Sequence, residues 1–368
     1  MKKILLSLVN MVLLLVFTTA CSRPTQKLTT NTVTPVEPII QPSASQSVET
    51  WKAEEIIAAS GPEKCQPVAS IPRKLKKEWT LAFINPNRTH PFFMQRDAGM
   101  SAAAVFYGAR YIGLDAVNGS SYNLLPGLLE KKPDLLGSHN DVLAIAAKAQ
   151  KENIPFLSVD LMPSKKGFYP YGVPDATAGK LGADLLVEAL QERMGGEWIN
   201  KELFFLGFTA QSIPACVTRT AAAAQAIKDG LKLDDAHVLI IDPNVEKTTA
   251  EKVLLLMMTD HPQAVFGLIP CWDQLGIDPY KAVAAAGYES RLLLVTLGGD
   301  KSNLEFLKTK PVGYYGLVEF QPYCEGWSWI ETALAILVGV PFEPYQVSRT
   351  VTQAGVEARY AELYGTGK

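Results

Sequence analysis

Residues 80–109 read TLAFINPNRTHPFFMQRDAGMSAAAVFYGA, and the interpretation of the whole chain starts from this stretch. An apolar run typical of a buried β-strand comes first, followed by a turn of Asn, Pro and Thr and then by helical spacing. Phe92 and Phe93 stand side by side at the start of that helix. Adjacent helical residues point about 100° apart, so at most one of the two rings can face the core fully. We therefore expect at least one ring to face a cleft.

The same order of apolar strand and helix recurs along the chain. For example, ELFFLGF at 202–208 precedes CVTRTAAAAQAIKDG at 216–230. Strands that are apolar nearly throughout are typical of parallel sheets covered by helices on both faces. There are about ten such units, which is too many for one doubly wound sheet of ordinary size. We predict an α/β protein with two similar doubly wound parallel-sheet lobes, and an eightfold β/α barrel is the alternative.

The N-terminus has the pattern of an export signal. MKK is followed by the apolar run ILLSLVNMVLLLVF at 4–17 and then by TTAC at 18–21. Small residues before Cys21 resemble the bacterial lipoprotein signal, in which that cysteine is acylated. We expect 1–21 to be a lipoprotein signal peptide. The protein would then be exported to the periplasmic or cell-surface side of a bacterial membrane and anchored by lipid at Cys21. A plain secretory signal with an incidental cysteine is the alternative.

Residues 22–78 are expected to form a flexible tether and a short N-terminal extension. The first part is rich in Thr, Pro, Ser and Gln and contains no aromatic residue until Trp51, so it offers little apolar surface to bury. Beyond Cys21 the chain has four cysteines: Cys65, Cys216, Cys271 and Cys324. An oxidising compartment permits disulfides, but the spacing does not decide the pairing and free buried thiols are the alternative.

Charge and motifs exclude several classes of function. The formal net charge of −2 gives no overall field that would attract nucleic acid. The chain has no Gly-x-Ser-x-Gly elbow, no phosphate-binding Gly-x-x-x-x-Gly-Lys and no His-Glu-x-x-His zinc motif. The cysteine spacing matches no zinc site. We expect neither a cofactor nor a metal.

The residues that follow the predicted strands are polar and aromatic. These segments are NPNRTHPFF, DAVNGSS, SVDLMP, GFTAQS, IDPN, IPCWDQ, LGGDK and EFQPY. Ligands of open α/β sheets bind beyond the carboxyl ends of the strands. Carboxylates and amides exchange hydrogen bonds with hydroxyls, and aromatic faces pack on C–H surfaces. The mixture favours a neutral, hydroxyl-rich ligand.

From about residue 79 to 343 the chain resembles the type I periplasmic sugar-binding proteins, the ribose/galactose-binding family of ABC-transporter solute receptors. The opening stretch is similar to that family's first strand, Asn-Pro-Phe-Phe turn and first helix. Further similar segments are IGLDAVNGSS, AKAQKENIPFLSVD, YGVPDATAGKLGADLL, TRTAAAAQAIKD, HPQAVFGLIPCWDQLGIDPYKAVAAAG, LLLVTLGGD and EFQPYCEGW.

The resemblance implies two lobes joined by a three-strand hinge. An N-terminal lobe would comprise 79–173 and 319–342, and a C-terminal lobe 174–318 and 343–368. A small polar ligand, a sugar or sugar-like polyol, would be held between the lobes of a monomer and delivered to an ABC permease without chemistry. The binding residues implied are His90, Phe92, Phe93, Asp160, Arg219, Trp272, Asp273, Asp300 and Gln321. His139, His237 and His261 have no such support and are expected to be structural.

The chain departs from the family at several positions. Leu161 and Val217 stand where binding arginines are usual, and Leu297 and Gly298 replace a Phe-Asp pair. These departures argue against ribose or galactose as the ligand. Two other functions stay open: a sensor subunit that presents ligand to a chemoreceptor or histidine kinase, and a glycan-processing enzyme on the same scaffold. A repressor of this fold would need a DNA-binding helix pair where the chain has its signal and tether.

Overall fold

The computed structural model describes residues 65–72, 75–116, 120–159, 167–172, 174–343, 345 and 349–365. All of them belong to one compact unit of the chain. The predicted signal peptide, Cys21, most of the tether and Asp160 lie outside the described residues. Within the described part, no helix combines the length and the apolar composition needed to cross a membrane.

The first lobe is built on a five-stranded parallel sheet. Its strands are β1 Thr80–Asn85, β2 Arg110–Asp115, β3 Leu135–Ser138, β4 Phe156–Val159 and β5 Phe168–Tyr171, in the order β2-β1-β3-β4-β5. The helices between them are α1 Pro91–Tyr107, the 3-10 turn Ser121–Leu124, α2 Leu125–Leu129 and α3 Val142–Lys151. β1, β3 and β4 are buried along nearly their whole length, as the apolar strand runs predicted.

The second lobe repeats this arrangement with one added strand. Its strands are β6 Leu203–Phe208, β7 Val238–Ile241, β8 Val265–Pro270, β9 Leu292–Gly298, β10 Tyr314–Glu319 and β11 Arg349–Thr352, in the order β11-β10-β9-β8-β6-β7. Only β11 runs antiparallel to its neighbour. The remaining helices are α4 Asp175–Met194, α5 Pro214–Leu231, α6 Ala250–Asp260, α7 Asp273–Ala285, α8 Lys301–Lys308, α9 Pro322–Val338 and α10 Val356–Tyr364, with 3-10 turns at Asp235–His237 and Glu289–Arg291.

The two sheets share one strand order. Starting from the edge strand β7, the second sheet has the order β7-β6-β8-β9-β10. This order corresponds strand for strand to β2-β1-β3-β4-β5 in the first sheet. The prediction of two similar doubly wound lobes is therefore confirmed. The alternative of an eightfold barrel is wrong, because the strands form two separate open sheets.

The chain passes between the lobes three times: between β5 and α4, between β10 and α9, and between α9 and β11. These passages place α9 against α1 of the first lobe and α4 against α5 of the second. Both helix pairs approach closely at a glycine. A Cβ on Gly326 would overlap the backbone of Arg96, and one on Gly179 would overlap the backbone of Arg219. The close contact of each pair sets where its arginine lies.

The described part of the N-terminal extension is attached to the first lobe. A disulfide joins Cys65 to Cys324 on α9. The backbone N–H of Val68 donates to the Glu331 carboxylate at 3.0 Å, and Ala69 forms an antiparallel bridge with Phe342. The extension thus packs along α9.

Candidate functional site

A cavity of about 340 Å³ lies between the two lobes, at the carboxyl ends of their strands. The lining residues that precede α4 in the chain are Pro86, His90, Phe92, Phe93, Arg96, His139, Asn140 and Val159. The rest of the lining consists of Ile213, Ala215, Cys216, Arg219, Trp272, Asp273, Gln274, Leu297, Gly298, Phe320 and Glu325. A parallel sheet presents the ends of its strands at one edge, so loops far apart in sequence meet here.

Four rings form a continuous aromatic wall, which consists of His139, Phe93, Phe92 and Phe320. The ring centroids lie 5.0 Å apart between His139 and Phe93, 5.5 Å between Phe93 and Phe92, and 6.4 Å between Phe92 and Phe320. Each pair meets edge to face, the arrangement that aromatic quadrupoles favour. Both Phe92 and Phe93 line the cavity, and Phe92 also packs on the hydrophobic core. The structure therefore brings both to the place where the sequence predicted at least one.

Arg96 supplies a buried positive charge at the first-lobe side of the cavity. Its side chain is fully buried and its guanidinium lies between the rings of Phe83 and Phe93, at 5.1 and 4.8 Å from their centroids. It donates to Nδ1 of His139 at 3.1 Å, and it lies 3.7 Å from the Glu325 carboxylate. Glu325 is itself buried, so the pair is shielded from solvent.

The Arg96 contact defines the state of His139. An arginine can only donate, so Nδ1 of His139 accepts and the ring proton sits on Nε2. Burial and the positive charges of Arg96 and Arg219 lower the pKa of His139 well below its usual value. The imidazole is therefore neutral and carries an N–H donor. The expectation that His139 is purely structural is revised, since it lines the cavity.

Arg219 occupies the corresponding place in the second lobe. Its Nε donates to the Asp175 carboxylate at 2.6 Å and its guanidinium lies 5.0 Å from the Phe320 ring. It also donates to the carbonyl oxygen of Cys271 at 3.3 Å. The Cys216–Cys271 disulfide ties the first turn of α5 to the end of β8 at this point. The pairing left open by the sequence is therefore Cys65 with Cys324 and Cys216 with Cys271.

Asp273 begins α7 at the cavity wall and is almost fully buried. Its carboxylate accepts the backbone N–H of Gly299 at 2.7 Å. A Cβ on Gly298 would lie 2.9 Å from the Asp273 Cγ and closer still to an oxygen, and Gly298 has a φ of 143°. Glycine at 298, one of the departures from the family pattern, is thus needed to admit the Asp273 side chain.

The environment of Asp273 changes its acidity. Burial and the nearby carboxylate of Asp300 raise the pKa of Asp273 to about 7, while polar groups of Thr296 and Asn303 and the Gly299 N–H act in the opposite direction. A group with this pKa can exchange a proton near neutral pH. Its charge at the cavity wall therefore depends on pH.

The raised pKa predicts a loss of stability as pH rises. Between pH 3.8, the ordinary pKa of an aspartate carboxyl, and about pH 7, folded Asp273 holds a proton that the unfolded chain releases. The free energy of unfolding should therefore fall through this window, by on the order of 4 kcal/mol from this group alone. Urea unfolding of the wild type and of Asp273→Asn across pH 4 to 8 measures the difference. If the free energy of unfolding changed with pH in the same way in both proteins, the raised pKa of Asp273 would be contradicted.

A hydrogen bond between His90 and Gln274 joins the two lobes across the cavity. Nδ1 of His90 caps α1 by accepting the N–H of Phe92 at 3.2 Å, so Nε2 carries the proton and donates to Oε1 of Gln274 at 2.9 Å. The amide of Gln274 in turn donates to Asp300 at 3.3 Å. The sequence analysis did not select Gln274, although it directly follows Trp272 and Asp273.

The structure brings six of the residues proposed from the sequence together: His90, Phe92, Phe93, Arg219, Trp272 and Asp273 all line the cavity. Asp300 and Gln321 are not among the lining residues. Asp300 caps α8 and holds Gln274, whereas Gln321 precedes α9 in a left-handed conformation with a φ of 50°. Asp160 lies outside the described residues, but Val159 before it lines the cavity.

Sequence reasoning missed Arg96, His139 and Asn140. Arg96 follows Phe92 by four residues and Phe93 by three, which is the spacing of one helix face and was a usable signal. His139 and Asn140 directly follow β3, so they belong with the other segments at strand ends. Among the described residues, no group of three or more His, Cys, Asp or Glu side chains is arranged to hold a metal ion.

Comparison with solved structures shows the same fold. A solute-binding protein of an ABC transporter from Actinobacillus succinogenes 130z, with bound D-allose, has a TM-score of 0.63 and 18% identity. The match covers 76% of this chain and 100% of that chain. A carbohydrate transporter solute-binding protein from Agrobacterium radiobacter, in complex with D-arabinose, has a TM-score of 0.64 and 20% identity, covering 79% and 100%.

A third example is an ABC transporter solute-binding protein from Bacillus halodurans C-125 with bound myo-inositol. Its TM-score is 0.63 at 14% identity, covering 78% of this chain and 99% of that chain. No curated protein matches the chain in sequence. The model of the periplasmic binding protein domain matches residues 81–340, a stretch that includes the first sheet except Thr80 and the second sheet except β11. The chain therefore belongs to the periplasmic binding protein family.

Proposed function

We propose that this protein is an extracytoplasmic solute-binding protein that captures a sugar or sugar-like polyol between its lobes and delivers it to an ABC importer. The observation that carries the proposal is the cavity itself. Aromatic faces and hydrogen-bonding side chains from both lobes line one space of about 340 Å³. Pockets for small molecules range from about 300 to 1,000 Å³, so this one suits a ligand of a single ring.

The charges around the cavity favour a neutral ligand. Arg96 is accompanied by Glu325, and Arg219 by Asp175. In each lobe a carboxylate thus offsets the charge of the arginine. The cavity wall is left with no large excess of positive or negative charge that would favour an ionic ligand. Hydroxyl groups both donate and accept, and they suit a wall that mixes arginine, amide, imidazole and carboxylate groups. The structures with bound allose, arabinose and myo-inositol support a polyol of this size.

Binding would close the two lobes around the ligand. The bond between His90 and Gln274 joins one lobe to the other at the cavity wall. Hinge closure around a ligand is a common response when two domains are joined by a few crossing segments. The closed form would then be the one that the permease recognises.

A ligand screen tests the proposal. Because a ligand that binds only the folded state stabilises it by mass action, a hundredfold excess over Kd should add about 2.7 kcal/mol and raise Tm by several degrees. Phe93→Ala should weaken binding of the same compound at least about tenfold, because it removes a ring from the aromatic wall. Val105→Ala, on the exposed face of the same helix, is the control and should bind normally. Absence of any shift over a broad set of sugars and polyols would reject the proposal.

Two measurements separate import from the alternatives. Loss of uptake of the labelled ligand from cells lacking the gene supports import, whereas intact uptake with a lost response supports a sensor subunit. We also propose that the protein performs no chemistry on its ligand. Recovery of an altered compound after incubation would instead favour the glycan-processing alternative, for which a carboxyl group with a pKa near 7 would be suited.

The proposed location is the outer face of a bacterial membrane, with a lipid anchor at Cys21. This proposal rests on the N-terminal pattern of MKK, an apolar run and TTAC. Labelled palmitate should enter the wild type and be absent from Cys21→Ser. Equal labelling of the two proteins would rule out the anchor.

A further inference from the structure

One region of the cavity wall carries a single polar side-chain group, the indole N–H of Trp272. Ile213, Ala215 and Cys216 come from the start of α5, and Trp272 follows β8. All four line the cavity, and we name them the apolar shelf. The Cys216–Cys271 disulfide and Trp272 pack in one hydrophobic cluster at this part of the wall.

The start of α5 differs from the start of α1 on the opposite lobe. α1 is capped by the His90 side chain, whereas Ile213 occupies the N-cap of α5 and makes no side-chain cap bond. Ser, Thr, Asp and Asn are preferred at this position because they satisfy a free backbone N–H. Ile213 is instead 39% exposed at the cavity. The helix therefore begins without a capping side chain, and the apolar side chain of Ile213 faces the cavity instead.

The polar groups of the first lobe lie elsewhere on the wall. Arg96, His139 and Asn140 line the cavity, and Arg96 and His139 are bonded to each other. A ligand in contact with both regions would meet hydrogen-bonding groups on one part and aliphatic, disulfide and indole surface on another. A hydroxyl placed on the aliphatic or disulfide part of the shelf would lose its bonds to water and gain none from those side chains, at a cost of about fivefold to a hundredfold in affinity.

We propose that the ligand is a polyol with an apolar substituent, such as a deoxy or alkyl group, which lies on the apolar shelf. This inference rests on the proposed function and narrows its ligand class. A methyl group buried there adds about fourfold in affinity, and removing an unpaired hydroxyl adds more. The substituted member of a matched pair should therefore bind at least about tenfold more tightly than its parent.

Matched sugar pairs test this directly on the full chain by calorimetry. The probes are L-fucose with L-galactose, L-rhamnose with L-mannose, and methyl β-D-galactoside with D-galactose. L-fucose and L-rhamnose have a methyl group where the parent has a hydroxymethyl group, and methyl β-D-galactoside has a methoxy group in place of the anomeric hydroxyl. We expect a preference of at least about tenfold for the substituted member in one or more pairs.

Ile213→Gln should reduce that preference to less than about threefold, because it places an amide on the shelf. Ile199→Gln, an equally sized change at an exposed isoleucine outside the cavity, should leave the preference unchanged. If parent sugars bind as well as or better than their partners, the inference is wrong and the proposed function stands. If no member of any pair binds and the broader polyol screen is also negative, the proposed function fails as well. A preference that survives in Ile213→Gln would show that another part of the wall is responsible and would overturn the role of the shelf.

Discussion

Replacing Arg96 by methionine is expected to lower the free energy of unfolding by about 3–5 kcal/mol and to abolish ligand binding. The Arg96 side chain has no exposure to solvent, and the Glu325 carboxylate 3.7 Å away is also buried. Removing one member of a buried ion pair leaves the other charge without that compensation, which is the costly change. Loss of the donor to His139 would also release the imidazole that lines the cavity. Urea denaturation and calorimetry with the ligand measure both effects.

Two companion variants make this prediction specific. Arg110→Met removes an exposed arginine of the same lobe and should change stability by less than about 0.5 kcal/mol. The double variant Arg96→Met/Glu325→Gln should be more stable than the sum of the single effects predicts, because it also removes the charge of the carboxylate that would lose its contact with Arg96. Additive effects in this double-mutant cycle would show that the two side chains do not stabilise each other.

Replacing Gly326 by alanine is expected to cost about 3 kcal/mol of stability. The added Cβ would lie 2.8 Å from the carbonyl carbon of Arg96 and 3.0 Å from the backbone N of Met100, and it would overlap the Arg96 carbonyl oxygen. Backbone atoms cannot rotate away as a side chain can, so α9 and α1 would have to separate. Because Arg96 lies on α1, we also expect weaker ligand binding.

Gly127→Ala provides a matched control for this substitution. Gly127 also lies within a helix, but no atom lies within 4 Å of the place where its Cβ would be. Alanine has the higher helix propensity, so this variant should be unchanged or more stable by up to about 1 kcal/mol. Equal losses in the two variants would show that a general effect of glycine replacement, rather than the contact between the helices, is responsible.

The alternation of strands and helices could be read from the sequence because each element carries its own pattern. Apolar runs such as LFFLGF at 203–208 are buried at every position of β6. The general location of the site was also predictable, since polar and aromatic residues after β1 lie at the carboxyl edge of the first sheet and those after β8 at the carboxyl edge of the second. The pattern of residues along the chain is sufficient to predict the secondary-structure elements and the strand ends.

Helix α1 shows where the pattern of apolar residues fails. Its buried face includes the charged residues Arg96 and Asp97, while the apolar Val105 is 72% exposed. A prediction that buries apolar residues and exposes charged ones would therefore assign the wrong face of this helix to the core. Arg96 and Asp97 are buried because their partners Asn85, His139 and Glu325 come from three other elements.

The sequence by itself determined that the chain forms two α/β lobes with a ligand site at their strand ends, because strand burial and helix periodicity are local properties. Tertiary structure alone decided the disulfide pairing, the partners of Arg96 and Arg219, and the position of Asp300 outside the cavity lining. These features depend on distances between residues that are 26 to 259 positions apart in sequence. Such distances are set by how helices and sheets pack, and in this chain Gly99, Gly179 and Gly326 allow the helices that carry the arginines to approach their neighbours closely.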